Sequence, residues 1–339
     1  MRLLILTQAV DQNDPVLGFF HHWITGFAGR FDRVHVICLK EGKHALPHNV
    51  AVHSLGKESG PSRGKYVSRF FPLVWSLRNE YDVILVHMNQ EYVLLGGFLW
   101  KLLGKRIYMW RNHYAGTLMT NLAVALCTKV FCTSRFSYTA RFKKTVLMPV
   151  GVDLGVFKQV GQRIANSILF LARFAPSKHP ERLVQALKKL RQEGMPFTAS
   201  FYGSAEPSNE AFRNQVRTDA NELGDTVRFL EGVPNTDTPR VYSAHDIFVD
   251  LSASGMYNKT IYEAAACGCL VLAASKDYAE HVDSRLVFEE DGQDLAEKLR
   301  TVLALPESEK NTLRASLARL AESHSLEALS KKLAEEIRV

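Results

Sequence analysis

The sequence has little of what would place the protein in a membrane or in an oxidising compartment. Nowhere in its 339 residues does an apolar run reach the ~18 residues that span a bilayer. The first apolar run, Leu3–Leu6, is too short for a signal peptide and is typical of a first strand. The cysteines lack Cys-x2-Cys spacing, which favours reduced cytoplasmic thiols over a metal site; they are Cys38, Cys127, Cys132, Cys267 and Cys269.

Several catalytic signatures are also missing. Neither half of the chain opens with Gly-x-Gly-x-x-Gly, which disfavours a dinucleotide-dependent dehydrogenase. No Asp-x-Asp cluster stands out at a strand end, so we expect no divalent metal and no cofactor. No pair of catalytic carboxylates of the kind found in glycoside hydrolases is evident either.

The charge is unevenly distributed. The composition, 46% hydrophobic and 23% charged, is that of a globular protein, and the length suits two domains. Residues 1–155 hold 19 Lys and Arg against 9 Asp and Glu, a net charge of +10, whereas residues 156–339 have a net charge of −3. The basic half therefore suggests an anionic partner, either a membrane surface, a phosphorylated acceptor or nucleic acid. No nucleic-acid-binding motif is present, so we expect no nucleic-acid partner.

Short apolar runs alternate with amphipathic stretches in the first half. The apolar runs predict buried strands at Leu3–Leu6, Val34–Leu39, Val83–Val86, Ile107–Trp110 and Val130–Thr133. The intervening stretches predict helices at Phe19–Phe31, Phe70–Glu80, Glu91–Leu103 and Leu118–Cys127. This order predicts a parallel sheet with right-handed crossovers.

The alternation stops at Pro149–Gly155, a proline- and glycine-containing linker, and then starts again. Further strands are predicted at Ser167–Ala172, Phe197–Tyr202, Val227–Leu230, Ile247–Leu251 and Leu270–Ala274. Further helices are predicted at Glu181–Glu193, Asn209–Leu223, Lys259–Cys267 and over about the last 40 residues. We therefore expect an α/β protein with two Rossmann-like domains whose parallel sheets face each other across a ligand-binding cleft.

Two cations follow the first strand of the second half. The strand runs directly into Arg173, Lys178 follows five positions later, and a helix begins near Pro180. Cations at a strand end beside a helix N-terminus favour a diphosphate site. Two solvated surface cations would explain the pattern equally well.

A second segment places small residues before a helix. Gly255 precedes a helix whose first turns carry Lys259 and Glu263 on one face. The backbone N–H groups of this loop could bind a phosphate, with Lys259 adding positive charge. An ordinary surface ion pair at spacing i,i+4 is the commoner explanation of such a pair.

Together, the two segments resemble the retaining GT-B glycosyltransferases, and glycosyltransferase family 4 in particular. Arg173 and Lys178 look like the family's Arg-x4-Lys diphosphate-binding pair. Residues 263–271 are similar to its Glu-Ala-x-Ala-Cys-Gly-x-Pro-Val signature, in which Glu263 would hold the donor ribose. Residues 149–153 are similar to the family's Asn-Gly-Val-Asp at the domain junction.

The chain departs from the family pattern at one position. Gly255 stands eight residues before Glu263, where the family usually has another Glu that helps with the donor sugar. We hypothesise that the backbone of Gly255 and Met256, with Lys259, contacts the donor there. The resemblance implies a donor-binding set of Gly18, Gly203, Val233, Gly255, Met256, Lys259, Thr260 and Glu263.

The resemblance also implies an activity. It predicts the retaining transfer of a hexose-type sugar from a UDP- or GDP-linked donor to an acceptor hydroxyl, without a metal. Arg173, Lys178 and His113 are the expected catalytic residues, and His113 follows a predicted strand as a family histidine does. Residues 1–150 would form the acceptor-side domain and residues 151–322 the donor domain, while the helix in residues 323–339 could return to the first domain.

The acceptor is predicted only by class. The apolar stretch Phe70–Trp75 is preceded by four cations, Lys57, Arg63, Lys65 and Arg69. Together these residues could form a peripheral contact with the inner face of an anionic membrane. A flexible loop followed by a core helix is the plainer alternative. We expect a carbohydrate or lipid-linked acceptor in cell-envelope glycan synthesis.

Two alternative functions remain open at this point. A nucleotide-sugar epimerase of the same architecture would need no acceptor. A non-catalytic nucleotide-sugar-binding protein would explain the missing Glu at position 255.

Overall fold

Two parallel sheets organise the chain. The computed structural model describes residues 1–14, 16–60, 62–255 and 259–338. These residues form two units, the first from Met1–Gly151 together with a C-terminal helix and the second from Val152–Ser325. Each unit has its own sheet, of seven strands in the first and five in the second, which confirms the predicted pair of parallel α/β domains.

The first unit contains seven parallel strands in the order β3-β2-β1-β4-β5-β6-β7. The strands are β1 (Arg2–Val10), β2 (Arg33–Glu41), β3 (Val50–Ser54), β4 (Val83–His87), β5 (Arg106–Trp110), β6 (Lys129–Cys132) and β7 (Thr145–Leu147). The helices between them are α1 (Gly18–Ala28), α2 (Arg63–Ser76), α3 (Gln90–Leu102) and α4 (Leu118–Leu126).

The apolar runs predicted as strands form the centre of this sheet. Leu3 to Leu6 are fully buried, because helices cover both faces of β1. The strands β3 and β7 were not predicted from the sequence. Both lie at sheet edges and carry mostly half-buried residues, so their apolar patterns are weak.

The basic segment before Phe70 is helical rather than a flexible loop. The helix α2 begins at Arg63, seven residues before its predicted start, and contains Pro72. Phe70 and Val74 are buried in the core of the unit, while Phe71 and Trp75 are exposed. The helix therefore has one face in the core and one apolar face in solvent.

The second unit contains five parallel strands in the order β10-β9-β8-β11-β12. The strands are β8 (Ile164–Leu171), β9 (Thr198–Tyr202), β10 (Val227–Leu230), β11 (His245–Asp250) and β12 (Leu270–Ala273). The helices are α5 (Pro180–Gln192), α6 (Glu210–Asp219), α7 (Thr238–Ala244), α8 (Lys259–Ala266), α9 (Lys276–Ala279), α10 (Leu295–Leu303) and α11 (Glu307–Ser323).

The last helix, α12 (Leu326–Arg338), belongs to the first unit and packs on α1. A Cβ on Gly26 of α1 would lie 2.8 Å from the Ser330 hydroxyl oxygen, so the two helices are in close contact. The Tyr108 hydroxyl donates a hydrogen bond to the Ile337 carbonyl at 3.1 Å. Among the described residues, no helix is both long and apolar enough to cross a membrane.

Candidate active site

Neighbouring strands of the second unit deliver polar side chains to one cavity. The strands β8 and β11 are paired in parallel, so both chains leave the sheet at the same edge. A cavity of about 140 Å³ lies there, lined by residues from both strand ends and from the start of α8. Its polar and charged lining residues are Arg173, Lys178, Asp250, Ser252 and Thr260. The structure thus brings the two predicted diphosphate-binding cations together.

Lys178 is positioned by the turn that starts α5. A short 3-10 helix, Pro176–Lys178, follows β8, and His179 adopts a left-handed conformation (φ 49°) before Pro180 opens α5. The Lys178 ammonium donates a hydrogen bond to the Ser252 hydroxyl at 2.9 Å. Its charge therefore lies at the cavity wall, where an anionic ligand would meet it.

Asp250 also lines the cavity. One carboxylate oxygen accepts the Ser252 N–H at 2.8 Å, and the other accepts the Thr260 hydroxyl at 2.9 Å. This buried carboxylate therefore ties the loop after β11 to the first turn of α8. Asp250 and Ser252 were not predicted as site residues from the sequence. The available signal was a carboxylate directly after the apolar run Ile247–Val249.

Arg173 lies at the cavity edge and has a carboxylate partner. Its guanidinium donates a hydrogen bond to Glu206 at 2.8 Å, and more than 60% of each side chain is exposed. Exposed ion pairs of this kind contribute only about 0–1 kcal/mol. An incoming diphosphate would therefore compete with Glu206 for Arg173 at little cost.

Replacing Glu206 by glutamine should tighten nucleotide binding. Because the change frees Arg173 and removes a negative charge near the cavity, we expect the nucleotide Kd to fall by roughly twofold to fivefold. Isothermal titration calorimetry with a nucleoside diphosphate measures this. Glu210→Gln is the matched control, since Glu210 contacts Arg213 and not Arg173. A weaker nucleotide affinity in Glu206→Gln would contradict the idea that Glu206 competes with the diphosphate for Arg173.

Lys259 and Glu263 form a buried ion pair on α8. Only 8% and 4% of their side chains are exposed, so the alternative of an ordinary surface ion pair is wrong. The Lys259 ammonium also lies 5.1 Å from the centre of the Phe157 ring, within cation–π distance. Burying two charges next to the cavity-lining Thr260 costs desolvation free energy. The attraction between Lys259 and Glu263 must therefore offset that cost.

The loop before α8 is held by a carboxylate from elsewhere in the unit. Gly255 has φ of 81°, a left-handed conformation that favours glycine. Its neighbour Ser254 donates a hydrogen bond to Glu290 at 2.6 Å, which lowers the pKa of that carboxyl. The predicted donor contact of Met256 lies outside the described residues.

The predicted contacts after β9 and β10 lie in adjacent turns. A Cβ on Gly203 would lie 1.9 Å from the Ala172 carbonyl oxygen, so only glycine fits this close approach of two strand ends. Val233 is half-buried in the loop after β10. In the same loop, hydrogen bonding from Arg213 lowers the pKa of Glu231. Neither Gly203 nor Val233 lines the cavity of Lys178.

Two predicted residues belong to the first unit. Gly18 is the first residue of α1, and a Cβ there would lie 2.9 Å from the Gln12 carbonyl oxygen. His113 follows β5, is half-buried, and accepts the Ala115 N–H at its Nδ1 atom at 2.9 Å. Its ring stacks on Tyr114 at 4.6 Å between centroids. The Nε2 atom of His113 is therefore the one left for other partners.

Another histidine at a strand end is a core residue. His87 is the last residue of β4, is buried, and stacks on Phe20 with 3.8 Å between ring centroids. Burial lowers its pKa to about 3, so the ring is neutral at physiological pH. Within the described part of the chain, no cluster of three His, Cys, Asp or Glu side chains could hold a metal ion.

The strand-end cavity lies in the part of the chain that matches a known family. Residues 165–304 match the family described as Glycosyl transferases group 1. This segment is therefore similar to a group 1 glycosyltransferase domain. The resemblance inferred from Arg173, Lys178 and the segment around Glu263 is therefore confirmed.

Curated relatives of this chain are similar to it over part of their length. D-inositol 3-phosphate glycosyltransferase of Segniliparus rotundus is 27% identical over 198 residues, which cover 53% of this chain and 44% of that protein. The corresponding Mycobacterium leprae enzyme is 32% identical over 137 residues, or 37% of this chain and 31% of that protein. The chain thus spans less than half the length of these relatives.

The fold is similar to solved glycosyltransferase structures over the whole chain. Anabaena HepE in complex with UDP has a TM-score of 0.78 and 21% identity, with complete coverage of both chains. HepE has also been solved with UDP-glucose. Sucrose-phosphate synthase from Thermosynechococcus elongatus has a TM-score of 0.76 and 17% identity, covering 100% of this chain and 98% of that one. The predicted GT-B fold is confirmed.

Proposed function

We propose that the protein transfers a hexose-type sugar from a nucleotide-diphosphate sugar to an acceptor hydroxyl, with retention at the anomeric carbon. The observation that carries the proposal is the cavity at the ends of β8 and β11, where Arg173, Lys178 and Ser252 converge. HepE binds UDP and UDP-glucose on a similar fold, so UDP-glucose is the first donor to test and GDP-linked sugars are the second.

The two cations would act on the leaving diphosphate. As the bond between the anomeric carbon and the diphosphate oxygen breaks, its electron pair moves to the diphosphate. Lys178 and Arg173 would neutralise that charge as it develops, and preorganised charges are most effective at this stage. The acceptor oxygen forms the new bond on the same face of the sugar, and its proton passes to the departing diphosphate oxygen. No protein carboxylate is required as a base in this scheme.

The remaining donor contacts are assigned to α8 and its preceding loop. Glu263 would accept hydrogen bonds from the ribose hydroxyls, with Lys259 holding the carboxylate in place. Thr260 lines the cavity and is oriented by Asp250. The backbone of Gly255 would contact the donor where the family usually has a Glu. His113 and Gly18 stay predicted contacts of the transferred sugar.

Product stereochemistry tests the proposed reaction. The purified protein is incubated with UDP-glucose and a panel of simple acceptors, and proton NMR follows the anomeric signal of the product. We expect an α-linked product from the α-linked donor, at a rate unchanged by EDTA. A β-linked product would overturn retention, and loss of activity in EDTA would overturn metal independence. Donor epimerisation without an acceptor would favour the epimerase, and nucleotide binding without turnover would favour the non-catalytic alternative.

We also propose a peripheral contact between the first unit and an anionic membrane at the cytoplasmic face. Large apolar side chains are exposed on three of its helices, namely Phe71, Trp75, Leu95, Phe98, Leu102, Leu118, Met119 and Leu122. Between Glu91 and Asp153 the sequence holds nine Lys and Arg and no Asp or Glu. Exposed apolar groups in a unit with an excess of cations suit an anionic bilayer surface.

Vesicle sedimentation tests the membrane contact. At low salt, the protein should sediment with vesicles containing phosphatidylglycerol and remain in the supernatant with phosphatidylcholine alone. Phe98 and Leu102 have 73% and 85% of their surface exposed, so replacing both by glutamate should release the protein without disturbing the core. Failure of the wild type to sediment would remove this proposal and leave the transfer reaction untouched.

A further inference from the structure

A second, larger cavity lies in the first unit and is separate from the donor cavity described above. Its volume is about 720 Å³, and it opens at the carboxyl ends of the strands, where Gln8 of β1, Leu39 of β2 and Asn89 after β4 contribute to the wall. The rest is formed by the helices α2 and α3 and by the segment after β3, which contributes Leu55, Lys57 and Ser62. This volume is within the range of about 300–1,000 Å³ that is typical of small-molecule sites. We refer to it as the α2 cavity.

The wall of the α2 cavity is mainly apolar and aromatic. Leu55, Phe70 and Tyr92 are buried lining residues and belong to the core of the unit. Val67 of α2 and Leu95 of α3 also line the cavity and are each 38% exposed, so the apolar lining continues out to the surface. An apolar chain could therefore enter from the exposed apolar side of these helices and be removed from water.

Two polar features distinguish the α2 cavity from a simple packing defect. The side-chain amides of Gln8 and Asn89 line it, and neither has a hydrogen-bond partner within the described residues. Lys57 and Arg63 also line it, and neither forms an ion pair with any residue that the structure describes. Glu91 is the only carboxylate among the lining residues given for this cavity, so the charge there is net positive.

A nearby arginine, Arg69, differs from Arg63 and Lys57 because its guanidinium has a protein partner. Arg69 lies on the same helix as Arg63, but its guanidinium donates a hydrogen bond to the Leu55 carbonyl at 3.0 Å. Arg69 therefore has a structural contact, whereas Arg63 and Lys57 are available to a ligand. Cations that form no ion pair with a described residue, at the mouth of an apolar cavity, favour a ligand that carries an anionic group beside an apolar chain.

We propose that the α2 cavity binds the acceptor, and that the acceptor is an amphipathic phosphate ester. Its apolar chain lies against Phe70, Tyr92 and Leu95, its phosphate is bound by Lys57 and Arg63, and its hydroxyl groups are bound by the amides of Gln8 and Asn89. This inference rests on the proposed transfer reaction, because it names the substrate class that would receive the sugar.

Octyl phosphate, below its micelle concentration, is the probe for this proposal. Isothermal titration of the full chain should show saturable binding of octyl phosphate, with octanol and inorganic phosphate each binding at least about tenfold more weakly. Equal binding of octanol and octyl phosphate would overturn the anionic part of the proposal. Equal binding of inorganic phosphate and octyl phosphate would overturn the apolar part.

Variants locate the binding site. Arg63→Gln and Leu95→Glu should each weaken octyl phosphate binding by roughly tenfold, the first by removing the cation and the second by placing an acid at the cavity mouth. Lys65→Gln is the matched control, because Lys65 is an exposed cation of the same helix that does not line the cavity. Unchanged octyl phosphate binding in both Arg63→Gln and Leu95→Glu would show that the ligand does not bind in the α2 cavity.

Nucleotide binding in the same samples separates the two proposals. All three variants should bind UDP as the wild type does, since the donor cavity belongs to the second unit. If the wild-type protein binds UDP but does not bind octyl phosphate, that result would count against the α2 cavity alone. Saturable octyl phosphate binding without any nucleotide binding would count against the donor site alone.

Discussion

Replacing Lys178 by alanine is expected to lower kcat by about 10²- to 10³-fold, the typical cost of removing one preorganised group that stabilises developing negative charge. The Lys178 ammonium lies 2.9 Å from the Ser252 hydroxyl at the cavity wall, and a diphosphate bound there would meet it directly. Steady-state kinetics with the active donor measure the effect.

Lys189→Ala is the matched control for this prediction. Lys189 is an exposed lysine in the last turn of α5, the helix that begins just after Lys178, and it does not line the cavity. Its loss should change kcat by less than about twofold. A fall of similar size in both variants would show that the charge of the whole unit matters, and not the position of Lys178.

Replacing Glu263 by alanine is expected to destabilise the second unit by about 3–5 kcal/mol, because it leaves the Lys259 charge buried without its partner. In a unit of this size that corresponds to a fall in Tm of roughly 6–20 °C. Both side chains are almost completely buried, and α8 packs against α11 and β12. Differential scanning calorimetry measures the Tm.

A double variant separates stability from donor binding. Lys259→Met combined with Glu263→Leu removes both charges and fills a similar volume, so most of the lost Tm should return. Nucleotide affinity should be lower than in the wild type in both the single and the double variant, because the carboxylate assigned to the ribose is gone. Recovery of both Tm and affinity would show that the pair has a structural role only.

Much of the fold could be predicted because its central strands are continuously apolar. The runs at Leu3–Leu6 and Val83–Val86 are buried on both faces. Apolar runs this short are typical of buried strands, whereas helices need longer amphipathic stretches. The edge strands β3 and β7 were missed for the opposite reason, since partial exposure allows polar residues at their alternating positions. Arg63, Lys65 and Arg69 gave the first turns of α2 the appearance of a loop, because charge outweighed apolar periodicity there.

The site was predictable where it lies on single segments and not where it depends on long-range contacts. Arg173 and Lys178 follow one strand, so their proximity to a common cavity could be inferred from sequence spacing. The contacts of Arg173 with Glu206 and of Ser254 with Glu290 join residues 33 and 36 positions apart. Spacing along the chain carries no signal for such contacts. The burial of Lys259 and Glu263 was likewise invisible, because an i,i+4 pair reads the same on an exposed face.

The most direct test of the account is thermal stabilisation by UDP, GDP and ADP, without metal, on the wild type and on Arg173→Ala. We expect one nucleotide, at a hundredfold excess over its Kd, to raise the wild-type Tm by about 5 °C or more, and we expect Arg173→Ala to lose this shift at the same concentration. Such a result would establish the donor site and identify the base. The absence of a shift with all three nucleotides would contradict the central claim that the cavity at Arg173 and Lys178 binds the diphosphate of a sugar donor.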